Sequence, residues 1–291
     1  GIQSSQWIAD SARWVERKHR PALNLIYLPY LDYDLQKFGP SSMQAARAAE
    51  AMDGLLCDLV DFLEQEGVTP VILSEYGISD VSRSIALNRL FRERGWIAVK
   101  PEMGTEMLDC GASRAFAVAD HQTAHIYIND PSVKEEVKTL LAATPGVEET
   151  RETDFSGLNP AAQERLPDFT AVAAPDAWFT YYYWLDDARA PDFARCVDIH
   201  RKPGYDPAEM FFDPTLSFPM FHAAAFLLKK KLGFRALMKV IPLNGDQVKG
   251  SHGRDRVPAN QQPVFIGPAS LPEIRSAQDV HEAILSAFEK E

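Results

Sequence analysis

Short apolar runs alternate, over the first third of this chain, with longer stretches whose apolar residues recur at helical spacing. Ser4 or Ser5 caps a predicted helix through about Lys18, with Trp7, Ile8, Trp14 and Val15 as its apolar members. Residues 23–28 (LNLIYL) have the length and apolar density of a strand buried on both faces. A loop is predicted over residues 29–40. Ser41 or Ser42 then caps a long amphipathic helix to about Gln65, with Met52, Leu55, Leu56, Leu59, Phe62 and Leu63 on its inner face and Gly67 as its stop. Residues 70–73 (PVIL) read as a second buried strand, and residues 85–94 as a helix that Gly95 ends. Strand, helix, strand, helix is the order of a right-handed parallel α/β unit.

The pattern then changes. Residues 115–119 and 125–128 alternate like strands of a smaller, antiparallel element, and residues 131–141 read as a helix. Residues 151–168 are polar and irregular. Residues 177–184 (AWFTYYYW) are the most aromatic stretch, and their last four residues read as core and rim packing. Residues 201–219, rich in Pro, Gly and Asp, are predicted loop. A helix over 223–240 carries a basic face at Lys229, Lys230 and Lys231, residues 263–267 (PVFIG) form a further buried-strand candidate, and residues 277–290 a closing helix.

Composition adds limits. The formal charge of −11 argues against a surface for nucleic-acid backbone, which needs a basic face, but leaves room for a small phosphorylated substrate. Cys57, Cys110 and Cys196 are too scattered for a disulfide framework, so a reducing, cytoplasmic setting is expected, with Cys57 a buried thiol. No apolar run reaches the length of a membrane span, so no membrane partner is expected. The chain starts with Gly1 inside a helical stretch, and further sequence, with any targeting signal, is expected upstream.

Ligands of α/β sheets gather at the carboxyl ends of strands. Three predicted loops carry suitable chemistry there. LPYLDYDLQKFGP holds Asp32 and Asp34, SEYG holds Ser74, Glu75 and Tyr76, and GSHG holds His252. Carboxylates and an imidazole arriving from separate loops suit a divalent cation that polarises a phosphoryl oxygen. Each residue alone has an ordinary alternative as a turn former, a solvated side chain or a loop donor. Ser74 and Ser251 read as backbone-bonding neighbours rather than nucleophiles. Asp120 and His121 (ADHQTAH) are further candidates. His121 and His125 would share one face of an extended segment, and His200 is a remoter candidate.

The three loops, in this order, resemble segments of the type I phosphodiesterase / nucleotide pyrophosphatase family of the alkaline phosphatase superfamily. LPYLDYDLQKFGP is similar to the segment in which an Asp, and a His four residues later, bind one metal before a Gly-Pro. SEYG is similar to Ser-Asp-His-Gly, whose Asp and His bind the second metal, and GSHG to the late Gly-Ser/Thr-His-Gly, whose His completes the first site. The resemblance implies metal-ligand positions at Asp32, Gln36, Glu75, Tyr76 and His252, with Gln36 and Tyr76 standing where the family has histidine and Glu75 where it has Asp. It extends through WFTYYYWLDD and the KPGYDP stretch at residues 202–207, for which it implies no chemical role. The implied fold is α/β, a mostly parallel alkaline-phosphatase-like sheet flanked by helices. Residues 1–291 would form one partial domain, with a smaller α+β insertion near residues 104–220.

The implied activity is metal-dependent hydrolysis of a phosphodiester or pyrophosphate bond, with zinc as the divalent metal or magnesium or manganese in its place. The family's Thr or Ser nucleophile is expected upstream of Gly1, which would leave this chain inactive by itself. The alternatives are a binding or regulatory protein with a diminished metal site, favoured by Gln36 and Tyr76, and a phosphotransferase that uses a different ion.

Overall fold

A computed structural model of the chain describes residues 1–288, which fall into two compact units, one of residues 1–78 with the chain from Arg256 onward, the other Ser79–Asp255. In the first unit, helices α1 (Ile2–His19), α2 (Tyr30–Phe38) and α3 (Met43–Gln65) precede a two-residue strand, β1 (Ile72–Leu73). Ser42 caps α3 as predicted, its hydroxyl accepting from the Ala45 N–H at 3.1 Å. Ala45, Ala48, Met52, Leu55, Leu59 and Leu63 recur every three or four residues and form the buried stripe of α3. Met52, Leu55, Leu59 and Leu63 pack with Ala9 of α1 and with Ile26, Leu28 and Leu31. The buried face of α1 is made of small or polar residues (Ser5, Ala9, Ala12, Glu16), while Trp7 and Trp14, two of its apolar members, are exposed.

Two predictions for this unit fail. LNLIYL is not a strand: Ile26 and Leu28 pack inward while Leu23, Leu25 and Tyr27 are exposed, and no strand pairs with the segment among the described residues. Its extended alternation is real, but a strand also needs a neighbour to take its backbone hydrogen bonds. The predicted loop after it is helix α2, so Asp32, Asp34 and Gln36 stand on a helix. β1 pairs antiparallel with Phe265–Ile266, whose Ile266 is exposed rather than buried. The closing helix is seen as Asp279–Phe288, and predicted residues Glu289 and Lys290 lie outside the described residues. Cys57 is exposed, not buried, because it sits outside the α3 stripe.

The second unit begins with β2 (Ser79–Asp80), β3 (Arg83–Ile85) and α4 (Leu87–Glu93), followed by the hairpin β4 (Ala98–Glu102) and β5 (Thr105–Asp109). Its main sheet has the order β6 (Ala115–Asp120), β7 (Thr123–Ile128), β9 (Phe169–Ala173), β8 (Val147–Glu152), all antiparallel. Helix α5 (Lys134–Ala143) packs on the sheet, and α6 (Pro160–Gln163) is a single turn. β10 (Ala177–Phe179) pairs with β3 in parallel, helix α7 (Pro219–Lys231) follows, and β11 (Gly250–Ser251) pairs antiparallel with β2.

Ala115, Ala117, Ala119, Ala124, Ile126, Phe169 and Ala171 build the buried face of the sheet. Against it lie Leu87 and Phe91 of α4, Val137 and Leu141 of α5, and the Tyr181–Trp184 run. Buried Asn88 clamps α4 to β6. Its Nδ2 donates to the Ala117 carbonyl at 2.7 Å and its Oδ1 accepts from the Ala117 N–H at 2.8 Å, satisfying both backbone groups.

The chain is therefore α/β, but the expected large parallel sheet is corrected to small, mostly antiparallel ones, with β3–β10 the parallel pair among the described strands. Connection length is the physical reason. Two residues join β6 to β7 and two join β4 to β5, and only an antiparallel pair can be closed by so short a turn.

Candidate functional site

The predicted site residues fall into two groups, one in each unit. In the first unit Asp32 and Gln36 lie four residues apart on α2 and so share a helix face, whereas Asp34, two residues from Asp32, does not. Tyr76 follows β1, and its hydroxyl donates to Asp32 Oδ1 at 3.1 Å. The pKa of that phenol is pushed up, foremost by burial and then by the Asp32 carboxylate, so Tyr76 is a neutral donor at physiological pH. The Tyr27 phenol is raised too, by burial and then by Asp32 and Glu75. Glu75 is exposed. Gln36 is buried and its side-chain carbonyl has no hydrogen-bond partner.

The SEYG loop is anchored from both ends. The Ser74 hydroxyl accepts from the Val264 N–H at 2.9 Å, the backbone-bonding role expected of it. A Cβ built on Gly77 would overlap the Gln261 backbone carbonyl, so the fourth residue of the motif is glycine because the chain passes against it there.

In the second unit His252 follows β11, and its carbonyl accepts from the Gln122 N–H at 2.7 Å. Gly253 has a φ of 115°, and a Cβ there would stand 3.3 Å from the Gln122 nitrogen, so GSHG ends in the residue that permits this approach. His121 and Gln122 form the turn between β6 and β7, with His121 in the left-handed region at φ 55°. That conformation breaks strand alternation, so His121 and His125 do not share an extended face as predicted.

The buried His121 ring lies 4.0 Å, centroid to centroid, from Tyr205 and 3.8 Å from His252. Its pKa is pushed down to about 3, foremost by burial and then by His252, which keeps it neutral. Asp120 and His200 are exposed. Buried Ser251 has an unpartnered hydroxyl, so the backbone-bonding role expected for it is not found.

The KPGYDP segment, which the sequence left without a role, places Tyr205. Gly204 (φ 139°) bridges to Ala119, where a Cβ would meet the Ala119 carbonyl oxygen at 2.8 Å, and the Tyr205 N–H donates to that same oxygen at 3.1 Å. Buried Lys202 anchors the loop through Asp206 at 2.8 Å and Glu209 at 2.6 Å. Tyr205, Lys202 and Gln122 were missed as site-forming residues. The one signal for Lys202 and Tyr205 was a Lys-Pro-Gly-Tyr-Asp-Pro string too dense in turn formers and charge to be an ordinary loop. Tyr181 to Trp184 are all buried, in keeping with the core reading.

Among the described residues no group of three or more His, Cys, Asp or Glu side chains is arranged to hold a metal ion. The donor set agrees. Asp32 is engaged by a protonated phenol, and Gln36 offers only an amide. The divalent ion implied by the resemblance does not fit these residues.

The profile of the family described as type I phosphodiesterase / nucleotide pyrophosphatase matches residues 2–206, more than half of the chain. No curated protein matches. Among solved structures, phosphonoacetate hydrolase from Sinorhizobium meliloti 1021 in complex with phosphonoformate is 17% identical with a TM-score of 0.42, over 62% of this chain and 44% of that one. Murine ectonucleotide pyrophosphatase / phosphodiesterase 5 is 16% identical with a TM-score of 0.41, over 82% of this chain and 60% of that one. An inactive form of the murine protein in complex with AMP matches with a TM-score of 0.42, at 16% identity, over 61% of this chain and 45% of that one. The chain thus spans less than two thirds of each of these relatives.

Proposed function

Because the chain belongs to the type I phosphodiesterase / nucleotide pyrophosphatase family, we propose that the complete protein is a hydrolase of phosphodiester or pyrophosphate bonds in small phosphorylated compounds. The observation that carries this reading is the extent of the family match. It runs from α1 through most of KPGYDP and takes in Asp32, Gln36, Glu75 and Tyr76. In this reading the chain's own residues recognise the substrate. Neutral Tyr76 holds the Asp32 carboxylate in place through its hydrogen bond, the buried amide of Gln36 lies on the same face of α2, and no step is assigned to a metal, since the described residues do not fit one.

The test is cleavage of bis(p-nitrophenyl) phosphate by the complete protein, first without added metal and then with zinc, magnesium or manganese added in turn. Turnover in any of these conditions is the expected result. No turnover in all of them would sink the hydrolase reading.

A second reading, a phosphoryl-ligand binding protein on a hydrolase scaffold, is favoured by the Tyr76–Asp32 hydrogen bond. It engages one oxygen of the carboxylate for which the family resemblance implies a metal-ligand position. This reading predicts that the double variant Gln36→His, Tyr76→His, which restores the family's residues, retains more zinc after gel filtration than the unmodified protein, by about 10-fold or more in affinity. Equal zinc retention in both proteins would count against it.

A further inference from the structure

Helix α7 is the part of the fold whose sequence and surroundings disagree most. None of its residues is buried. Pro219, Ala223 and Phe226 lie along one side and are half-covered. On the other side Met220, Phe221, Leu227 and Leu228, with Leu232 just beyond, form a single apolar stripe. That stripe faces outward: Met220 is 70% exposed, Phe221 72% and Leu228 58%. An apolar face turned away from the chain marks an interaction site.

Charge identifies the occupant. From Pro214 to Gly245 there is no Asp or Glu, while Lys229, Lys230, Lys231, Arg235 and Lys239 all lie in this span, in a chain whose net charge is −11. Lys229, Lys230 and Lys231 are exposed at the C-terminal end of the stripe. An apolar helix face bordered by lysines on flexible stems matches a surface that is apolar inside and anionic at its rim. The acidic remainder of the chain opposes this only weakly, since charges more than about 10 Å apart are screened at ordinary ionic strength.

We propose that α7 is a peripheral docking face for anionic lipid, lying in the plane of the bilayer surface. Its Met220–Phe221–Leu227–Leu228 stripe enters the acyl boundary and Lys229, Lys230 and Lys231 meet the headgroups. This is not a span: among the described residues no helix is long and apolar enough to cross a membrane.

The test is co-sedimentation of the complete protein with vesicles of equal parts phosphatidylcholine and phosphatidylserine, and with vesicles of phosphatidylcholine alone. Binding to the anionic vesicles that weakens with salt is expected. The triple variant Lys229→Gln, Lys230→Gln, Lys231→Gln should weaken it by ~100-fold, and Phe221→Ala with Leu228→Ala should weaken it without removing the salt dependence. These positions are exposed, and an unchanged circular dichroism spectrum confirms the fold. No sedimentation, or equal sedimentation with both vesicles, would overturn the proposal. So would a concentration-dependent dimer abolished by Leu228→Asp, which would show that a second copy covers the stripe.

Discussion

Lys202→Met should destabilise the second unit by about 3–5 kcal/mol, because it removes the cation from between two carboxylates that have no water to turn to. The Lys202 side chain is 1% exposed, and its ammonium lies 2.8 Å from Asp206 and 2.6 Å from Glu209. Set against a typical total of about 5–15 kcal/mol for a folded domain, such a loss is severe. The Asp206 carboxyl already has its pKa raised, because burial outweighs the opposing pull of Lys202. A raised carboxyl favours the protonated folded state, so the contribution is fullest below the ordinary Asp range and is lost as pH rises through the folded value.

Removing Lys202 raises the carboxyl further. The deficit of the variant is therefore expected in full at neutral pH and should shrink as pH falls. Urea unfolding of both proteins at neutral and mildly acidic pH checks this. The triple variant Lys202→Met, Asp206→Asn, Glu209→Gln removes the stranded charges and should recover much of the loss. A loss independent of pH, with no recovery in the triple variant, would mean that Lys202 acts by packing alone. Because the same loop seats Tyr205 against His121, the single variant should also disturb the His121–Tyr205 stack and the His121–His252 contact.

Trp184→Ala is expected to cost a similar ~3–5 kcal/mol by a different route, the cavity left by a large buried ring. Trp184 is fully buried and its ring centroid lies 4.7 Å from that of Tyr182, 5.4 Å from Tyr183 and 5.7 Å from Tyr181. Its indole N–H donates to Asp187 at 2.8 Å, and Asp187 is also paired with Arg89 at 2.8 Å. Trp184→Phe keeps most of the volume and leaves Asp187 its arginine, so it should cost clearly less, about 1–2 kcal/mol. Denaturant midpoints of the two variants provide the comparison. Equal losses would assign the effect to the Asp187 hydrogen bond rather than to packing. Neither loss should depend on pH near neutrality, which separates this residue from Lys202.

Local patterns were readable where the energetics are local. The α3 stripe and its Ser42 cap follow from periodicity and one hydroxyl, and the antiparallel strands β6 and β7 from hydrophobic alternation over residues 115–119 and 125–128. The family was legible too, and its match takes in two of the three segments that suggested it. LNLIYL was misread because an apolar run shows that a segment prefers burial, not that a neighbouring backbone is there to pair with it. Loop and helix were confused at Asp32 because three aromatic residues and two acids within Tyr30–Phe38 obscured an ordinary helical spacing.

What the sequence determined by itself is the α/β character, the long capped helix and the family. The tertiary structure alone decided that the strands outside the expected β6–β7 element also pair mostly antiparallel, that Tyr76 spends its hydroxyl on Asp32, and that His121, Tyr205 and His252 meet at one turn. The physical reason is range. Capping and periodicity act within a few residues, whereas these contacts join positions from 44 residues apart, as in Tyr76–Asp32, to more than a hundred, as in His121–His252. Only the folded backbone brings such positions together.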